Sequence, residues 1–139
     1  MNLEKVFKNK KVIVTGHTGF KGSWLTLWLT EIGANVLGVS KDIPTIPSHY
    51  ELLGLGKKVK SKKIDIQNLK EIKKIIKTFK PDFIFHLAAQ SIVRKSYSST
   101  IETWKTNLMG TVNILESLKE NKKETITIII TSDKCYKNI

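Results

Sequence analysis

Cysteine is nearly missing from this sequence, where Cys135 stands alone. One thiol can form neither a disulfide within the chain nor a multi-cysteine metal site, so both frameworks are excluded. Long apolar runs are missing as well. The longest, Ile126 to Ile130, contains polar Thr127 and has the length of a strand; a membrane-crossing helix needs roughly 20 residues. The N-terminal stretch is basic but carries no apolar core and no small-residue cleavage site, which argues against a secretory signal. These absences predict a cytoplasmic protein with no membrane partner. Arginine is scarce too: Arg94 is the only one, although the net charge is +12. Arginine forks are the usual base readers and phosphate clamps. The lysines, from Lys57 to Lys63, Lys70 to Lys80 and Lys119 to Lys123, are scattered over the chain. No nucleic-acid partner is therefore expected. The positive field still attracts anionic ligands such as diphosphates.

What is present is a regular alternation. The 139 residues, 40% of them hydrophobic, suit one domain spanning 1–139. No repeat or linker interrupts it. Short β-branched runs at Lys11 to Thr15, Asn35 to Val39, Lys58 to Ile64, Asp82 to His86 and Thr125 to Thr131 read as strands. Between them lie helical patterns. Phe20 to Ile32 places Phe20, Trp24, Leu27, Trp28 and Ile32 at helical spacing, with Gly33 as the stop. Asn68 to Phe79 is amphipathic and Pro81 ends it. Thr100 to Lys119 is the longest, with Trp104, Leu108, Val112, Leu115 and Leu118 expected to face inward. Strand–helix alternation with apolar strands implies an α/β fold: a Rossmann-like, doubly wound parallel sheet of order 3-2-1-4-5. Its ligand crevice is expected at the carboxyl ends of the first and fourth strands.

Between the first strand and its helix runs TGHTGFKG, Thr15 to Gly22. Its glycines follow G-x-x-G-x-x-G. Gly16 permits a tight turn, Gly19 lets backbone approach a pyrophosphate, and Gly22 lets the helix pack close. The helix start then offers unpaired amides and a positive dipole end to phosphates. A glycine-rich turn without a ligand is the alternative. The pattern TGxxGFxG resembles the fingerprint of the extended short-chain dehydrogenase/reductase family. The resemblance implies a bound nicotinamide dinucleotide held by Gly16, His17, Thr18, Gly19, Phe20, Lys21 and Gly22, with His17 and Lys21 at variable positions.

The second strand usually ends on an acid that holds the adenosine ribose. Here that position is Ser40, followed by Lys41 and Asp42. Ser40 and Lys41 would tolerate a 2′-phosphate, which leaves NADP open; Asp42 would instead reach the ribose. The resemblance favours NAD. It also implies adenine contacts from Asp65 and Ile66, although Asp65 would equally serve as a helix N-cap. After the fourth strand comes HLAAQ, His86 to Gln90. Leu87, Ala88 and Ala89 are expected beside the cofactor, and Gln90 and Ser91 beside substrate, while His86 reads as a satisfied packing residue. Asn107, in TNLMGTVN, matches a side chain that braces backbone near the cofactor. The segments HLAAQSIVRKSY and GHTGFKGSWLTLWL resemble CDP-glucose 4,6-dehydratases closely.

TSDKCY, Thr131 to Tyr136, completes the resemblance. Ser132 takes the hydroxyl position, Asp133 the general acid and Lys134 the general base. The implied reaction turns CDP-glucose into CDP-4-keto-6-deoxyglucose. Sugar C4 gives a hydride to NAD, the ketone acidifies the C5 proton, a base takes it while an acid protonates the departing C6 hydroxyl, and the hydride returns at C6. Asp133 must stay protonated, and Lys134, with an ordinary pKa of about 10.4, must lose its proton. The family's Tyr-x-x-x-Lys pair is absent: four residues after Tyr50 and Tyr97 stand Gly54 and Ile101. The expectation is a domain truncated before the last strands and the substrate domain, inactive alone. Family members pair through the long central helix, so a homodimer is an option. An epimerase or reductase of the same family, or a non-catalytic dinucleotide-binding module, remain alternatives.

Overall fold

The computed structural model describes residues 3–132. A short helix α1 (Leu3–Phe7) leads into β1 (Lys11–Thr15). There follow α2 (Phe20–Glu31), β2 (Asn35–Ser40), the single turns α3 (His49–Leu52) and α4 (Leu55–Lys58), and β3 (Lys60–Lys63). Then come α5 (Leu69–Phe79), β4 (Phe83–His86), α6 (Val93–Ser98), α7 (Thr100–Trp104), a π-helical segment (Lys105–Met109), α8 (Gly110–Leu118) and β5 (Ile126–Ile129). All pairings are parallel, in the order β3-β2-β1-β4-β5, as the alternation predicts.

Side chains alternate across a strand, so β1 serves two cores at once. Val12 and Val14 join Phe7, Leu29 and Val36 under α1 and α2. Ile13 points the other way, to Leu37, Val39, Ile72, Ile76, Ile84 and Ile114 under α5 and α8. Burial on both faces is why the central strands lack a polar–apolar alternation. Truncating fully buried Leu29 or Ile84 to alanine would cost about 2–5 kcal/mol. β3, by contrast, is an edge strand of sequence KSKK, exposed throughout; lysines on an edge discourage pairing with another chain.

Local chemistry sets the boundaries. Asn68 caps α5: its Oδ1 accepts the Glu71 N–H at 3.2 Å while its Nδ2 donates to the Glu71 carboxylate at 3.1 Å. The first bond is an N-cap, and the second ties the capping side chain to the third residue of the helix. Lys80 then turns left-handed, with φ of 51°, just before buried Pro81. Gly33 closes α2 at φ of 83°, the stop the sequence predicts.

One expectation about helix faces is overturned. On the central helix, Trp104 is 62% exposed and Leu108 49%, with Val112 and Leu115 exposed as well. The face against the sheet is Gly110, Asn113, Ile114 and Ser117, and only Leu118 of the expected stripe packs on the core. A β-carbon on Gly110 would lie 2.4 Å from Ile66 Cδ1, so the approach is too close for large side chains. The helix is also interrupted by its π segment. On α2, Gly22, Ser23, Thr26 and Leu29 are buried, whereas Phe20, Trp24 and Trp28 are exposed. Periodicity reports a stripe; steric room decides which stripe is buried.

Candidate dinucleotide site

β1 ends at Thr15, and the next residue supplies the bend. Gly16 has φ of +71°, a conformation that a side chain strains. A β-carbon there would also meet the Ala88 amide nitrogen at 2.8 Å. The glycine loop therefore lies directly on the HLAAQ turn after β4. Gly16 N–H donates to Val39 O at 2.8 Å, and its carbonyl accepts from Gly19 N–H at 3.0 Å. Gly19 is the N-cap of α2, with no side-chain cap. At Gly22 a β-carbon would stand 2.1 Å from Gly16 O, so the first turn of α2 rests on the loop itself. The sequence reading had Gly22 pack against the sheet; its immediate neighbour is the loop backbone. Ser23 N–H makes the helix's first bond, to Gly19 O at 2.8 Å. The preceding first-turn amides have no intrahelical acceptor, and no acidic side chain occupies that turn. The result is an anion cradle.

A second part of the candidate site lies at the tip of β2. A cavity of about 340 Å³ is lined there by His17, Thr18, Ser40, Asp42, Tyr50 and Lys63, among others. His17 is not an idle variable residue. Its ring is 1% exposed, with Nδ1 2.9 Å from Ser40 Oγ, Nε2 2.8 Å from Ser61 Oγ, and Tyr50 edge-on at 5.2 Å. The ring fills the space above Gly38, where a β-carbon would be 2.2 Å from its Cδ2. Burial pushes its pKa down to about 4, only partly offset by a bond to the Val39 backbone. His17 thus bolts the glycine loop to β2 and β3. Ser40 Oγ is held by that ring and lies 3.4 Å from Thr18 N.

Lys41 ion-pairs with Asp65 at 3.2 Å and Glu102 at 3.4 Å. Those carboxylates, Asp65 first, hold its ammonium above the ordinary range. Asp65 Oδ1 accepts the Gln67 N–H at 2.9 Å. It forms a local turn and is not the cap of α5, a role that belongs to Asn68. Ile66 is buried in the core.

In the turn after β4, Leu87 and Ala88 donate their amides to Thr15 Oγ1 at 3.2 and 3.1 Å. Ala89 and Ser91 are exposed. Asn107 braces backbone as expected. Its Oδ1 accepts Gln90 N–H at 2.7 Å and its Nδ2 donates to Gln90 O at 2.9 Å. The Gln90 side chain bonds Ile92 at both backbone groups and Thr103, so it holds the turn's shape. His86 is buried, with Nδ1 2.7 Å from Thr15 Oγ1 and Nε2 3.1 Å from Thr111 Oγ1; burial lowers its pKa to about 4.

Ser132 lies just past the end of β5, and the pairing of His86 with Ile129 sets that exit beside HLAAQ. Asp133 and Lys134 lie outside the described residues. The sequence reading missed three supports: Thr15, Thr111, and Asn113, whose buried amide donates to Ile66 O at 2.9 Å and Gln67 O at 3.0 Å. The available signal for Asn113 was its place next to Ile114 on the face with Gly110 and Ser117. A larger cavity, about 730 Å³, is lined by Lys73, Lys74, Lys77, Lys80, Lys122 and Lys123, among others. It lies at the opposite end of the strands, where β4 and β5 begin, and touches no residue of the candidate site. Among the described residues, no helix is long and apolar enough to cross a membrane.

With this geometry in hand, the comparisons are specific. Residues 13–138 match the protein family described as GDP-mannose 4,6 dehydratase. A CDP-glucose 4,6-dehydratase of Salmonella typhimurium is 50% identical over 95% of this chain and 37% of its own length. Among solved structures, the epimerase Mth375 of Methanothermobacter thermautotrophicus superposes with a TM-score of 0.81 at 27% identity, over 96% of this chain and 38% of that one. The UDP-glucose 4-epimerase of Thermus thermophilus, in complex with NAD, gives 0.72 at 26% identity, over 82% and 35%. The chain thus spans little more than a third of the length of the relatives it matches.

Proposed function

We propose, on the premise that this chain belongs to the GDP-mannose 4,6 dehydratase family, that residues 1–139 are the NAD-binding portion of a cytoplasmic sugar-nucleotide 4,6-dehydratase acting on CDP-glucose. The observation that carries this reading is the contact of left-handed Gly16 with Ala88. It joins the glycine cradle to the turn after β4, so one ligand can lie across both. The half-identical Salmonella relative supports the choice of sugar nucleotide.

The residues fit the cofactor. Gly16 and Gly22 leave no room for β-carbons, and the first amides of α2 suit a diphosphate. NAD would run from the cavity at Ser40, with Asp65 and Ile66 toward the adenine, over Gly16 to Gly22, to Leu87, Ala88 and Ala89. Lys41 is already neutralised by two carboxylates, which favours NAD over a 2′-phosphorylated cofactor. When bound, NAD supplies oxidation at sugar C4 and reduction at C6. Ser132 is proposed to hold the C4 oxygen, Asp133 to protonate the departing C6 hydroxyl, and Lys134 to take the C5 proton; Gln90 and Ser91 border the sugar. Asp133 works only as the neutral acid and Lys134 only as the free amine, so both need a water-poor site. The exposed stripe of Trp104, Leu108, Val112 and Leu115 suits pairing with a second copy.

Calorimetric titration with NAD and NADP tests the reading. NAD is expected to bind and NADP to bind more weakly; binding of neither would end it. In the full-length protein, Asp133→Asn and Lys134→Met are expected to stop water loss while sparing oxidation at C4, which separates a dehydratase from an epimerase.

A further inference from the structure

We propose that His86 is a positioning residue, which sets the backbone of the nicotinamide-side turn through hydrogen bonds that run one way from Thr15 to the Asn107 carbonyl and end in the two-way pairing of the Asn107 side chain with Gln90. The proposal deepens the dinucleotide reading, and its first test does not depend on it.

Hydrogen counting fixes the direction. Thr15 Oγ1 accepts the Ala88 amide at 3.1 Å and, shared with the Thr15 carbonyl at the same 3.2 Å, the Leu87 amide, so it already receives two N–H groups. Its one proton must therefore go to His86 Nδ1, 2.7 Å away. A neutral imidazole that accepts at Nδ1 carries its proton on Nε2. That proton is donated to Thr111 Oγ1 at 3.1 Å. Thr111 in turn donates to Asn107 O at 2.7 Å. The Asn107 side chain then takes both backbone groups of Gln90, at 2.7 and 2.9 Å.

The chain crosses from the end of β1 to the π-helical segment and returns to the turn after β4. The π segment gives it that reach. An extra residue per turn re-aims a helical side chain, and such segments recur at functional sites. Here it carries Asn107, while Thr111 sits one turn on in α8. A protonated imidazole would have to donate at Nδ1 to an oxygen that already receives the Ala88 amide and a share of the Leu87 amide. The low pKa of the buried ring agrees with that geometry.

The test uses His86→Leu, which keeps bulk but breaks both bonds, and His86→Gln, whose amide can accept at one end and donate at the other. Amide hydrogen exchange at Gln90 reads the turn directly, with the core amides of β1 as the internal reference. His86→Leu is expected to speed Gln90 exchange about tenfold relative to β1, the size of one hydrogen bond. His86→Gln is expected to restore most of it, and Thr111→Val to reproduce the loss. NAD affinity should follow the same order, with His86→Leu and Asn107→Ala non-additive in a double-mutant cycle. Unchanged Gln90 exchange in His86→Leu, or an equal rise at every amide, overturns the positioning role. Loss of Gln90 protection together with unchanged NAD affinity also overturns it. Failure of the unmutated chain to bind NAD would instead count against the proposed function, and the exchange result would still decide the role of His86.

Discussion

Replacing Gly22 by alanine tests the cradle where its tolerance is least. The added carbon would sit 2.1 Å from Gly16 O, 2.8 Å from Gly16 C and 2.9 Å from His17 Cα. All three neighbours are backbone, so no rotamer change relieves the overlap. The loop and the helix must separate by about 1 Å or more to regain ordinary contact. That movement strains the bonds Gly16 makes to Val39 O at 2.8 Å and accepts from Gly19 N–H at 3.0 Å. Overpacking costs about 1–3 kcal/mol, and each weakened bond adds about 1 kcal/mol. Against this stands a gain of about 1 kcal/mol from replacing glycine inside a helix. The balance is a loss of about 2–4 kcal/mol. Urea unfolding would show it as a midpoint lowered by about 1–2 M at an unchanged slope. Gly19→Ala is the contrast. Its backbone, at φ −74° and ψ 168°, accepts any residue, and its β-carbon would lie 3.3 Å from Gly16 O. Stability should change by less than about 1 kcal/mol, while dinucleotide affinity falls because the carbon occupies the phosphate approach. A Gly22→Ala chain as stable as the parent would refute the close seating of α2 on the loop, and the anion cradle with it.

The remaining expectations concern charge and packing. His17 and His86 both have pKa values lowered to about 4 by burial, from an ordinary 6.5. A group depressed in the fold stabilises fully above its unfolded pKa, so stability should be constant above pH 6.5 and fall as the pH drops through 4. Each histidine contributes up to about 3 kcal/mol across that window. Asp82, held below the ordinary carboxylate range first by its bond to Lys123, titrates lower and does not confuse it. Thermal midpoints equal at pH 7 and pH 4.5 would contradict both burials. Gly38→Ala should expel the His17 ring, at a cost of about 2–4 kcal/mol. Combined with His17→Ala it should cost clearly less than the sum of the two, as urea unfolding would show. Lys41→Ala removes two ion pairs at the surface; a stability change above about 0.5 kcal/mol would be unexpected. The same variant should leave the preference for NAD intact in a calorimetric comparison with NADP.

Much of this protein could be read from its residues in order. The β-branched runs, the stop at Gly33 and Pro81 punctuate the chain locally, and local conformational preference needs no partner; the cap of α5 fell to Asn68 and not to Asp65 because only the folded turn decides which side chain reaches the helix start. Alternation of strands and helices then leaves the 3-2-1-4-5 sheet as the natural parallel arrangement. The glycine spacing carried the bend at Gly16 for the same reason: a positive φ is a property of one residue. Asn107 was legible through resemblance alone, and its two bonds to Gln90 give that resemblance a geometry. What the chain order could not reveal depends on who meets whom across space. Trp24, Leu108 and Val112 repeat with helical period as faithfully as Thr26, Asn113 and Ser117. Only the sheet's surface, with Ile66 pressed against Gly110 and the loop carbonyl against Gly22, admits the smaller set. His17 looked like a variable loop residue because nothing nearby in sequence needs it; Ser40 and Ser61, its partners, lie on two different strands. The lysines of α5 and those after α8 looked scattered until the packing of the two helices gathered Lys73, Lys74, Lys77, Lys80, Lys122 and Lys123 around one cavity at the end of the strands away from the glycines. Hydropathy is a property of residues and period a property of segments, whereas steric room and hydrogen-bond partnership arise only when segments pack.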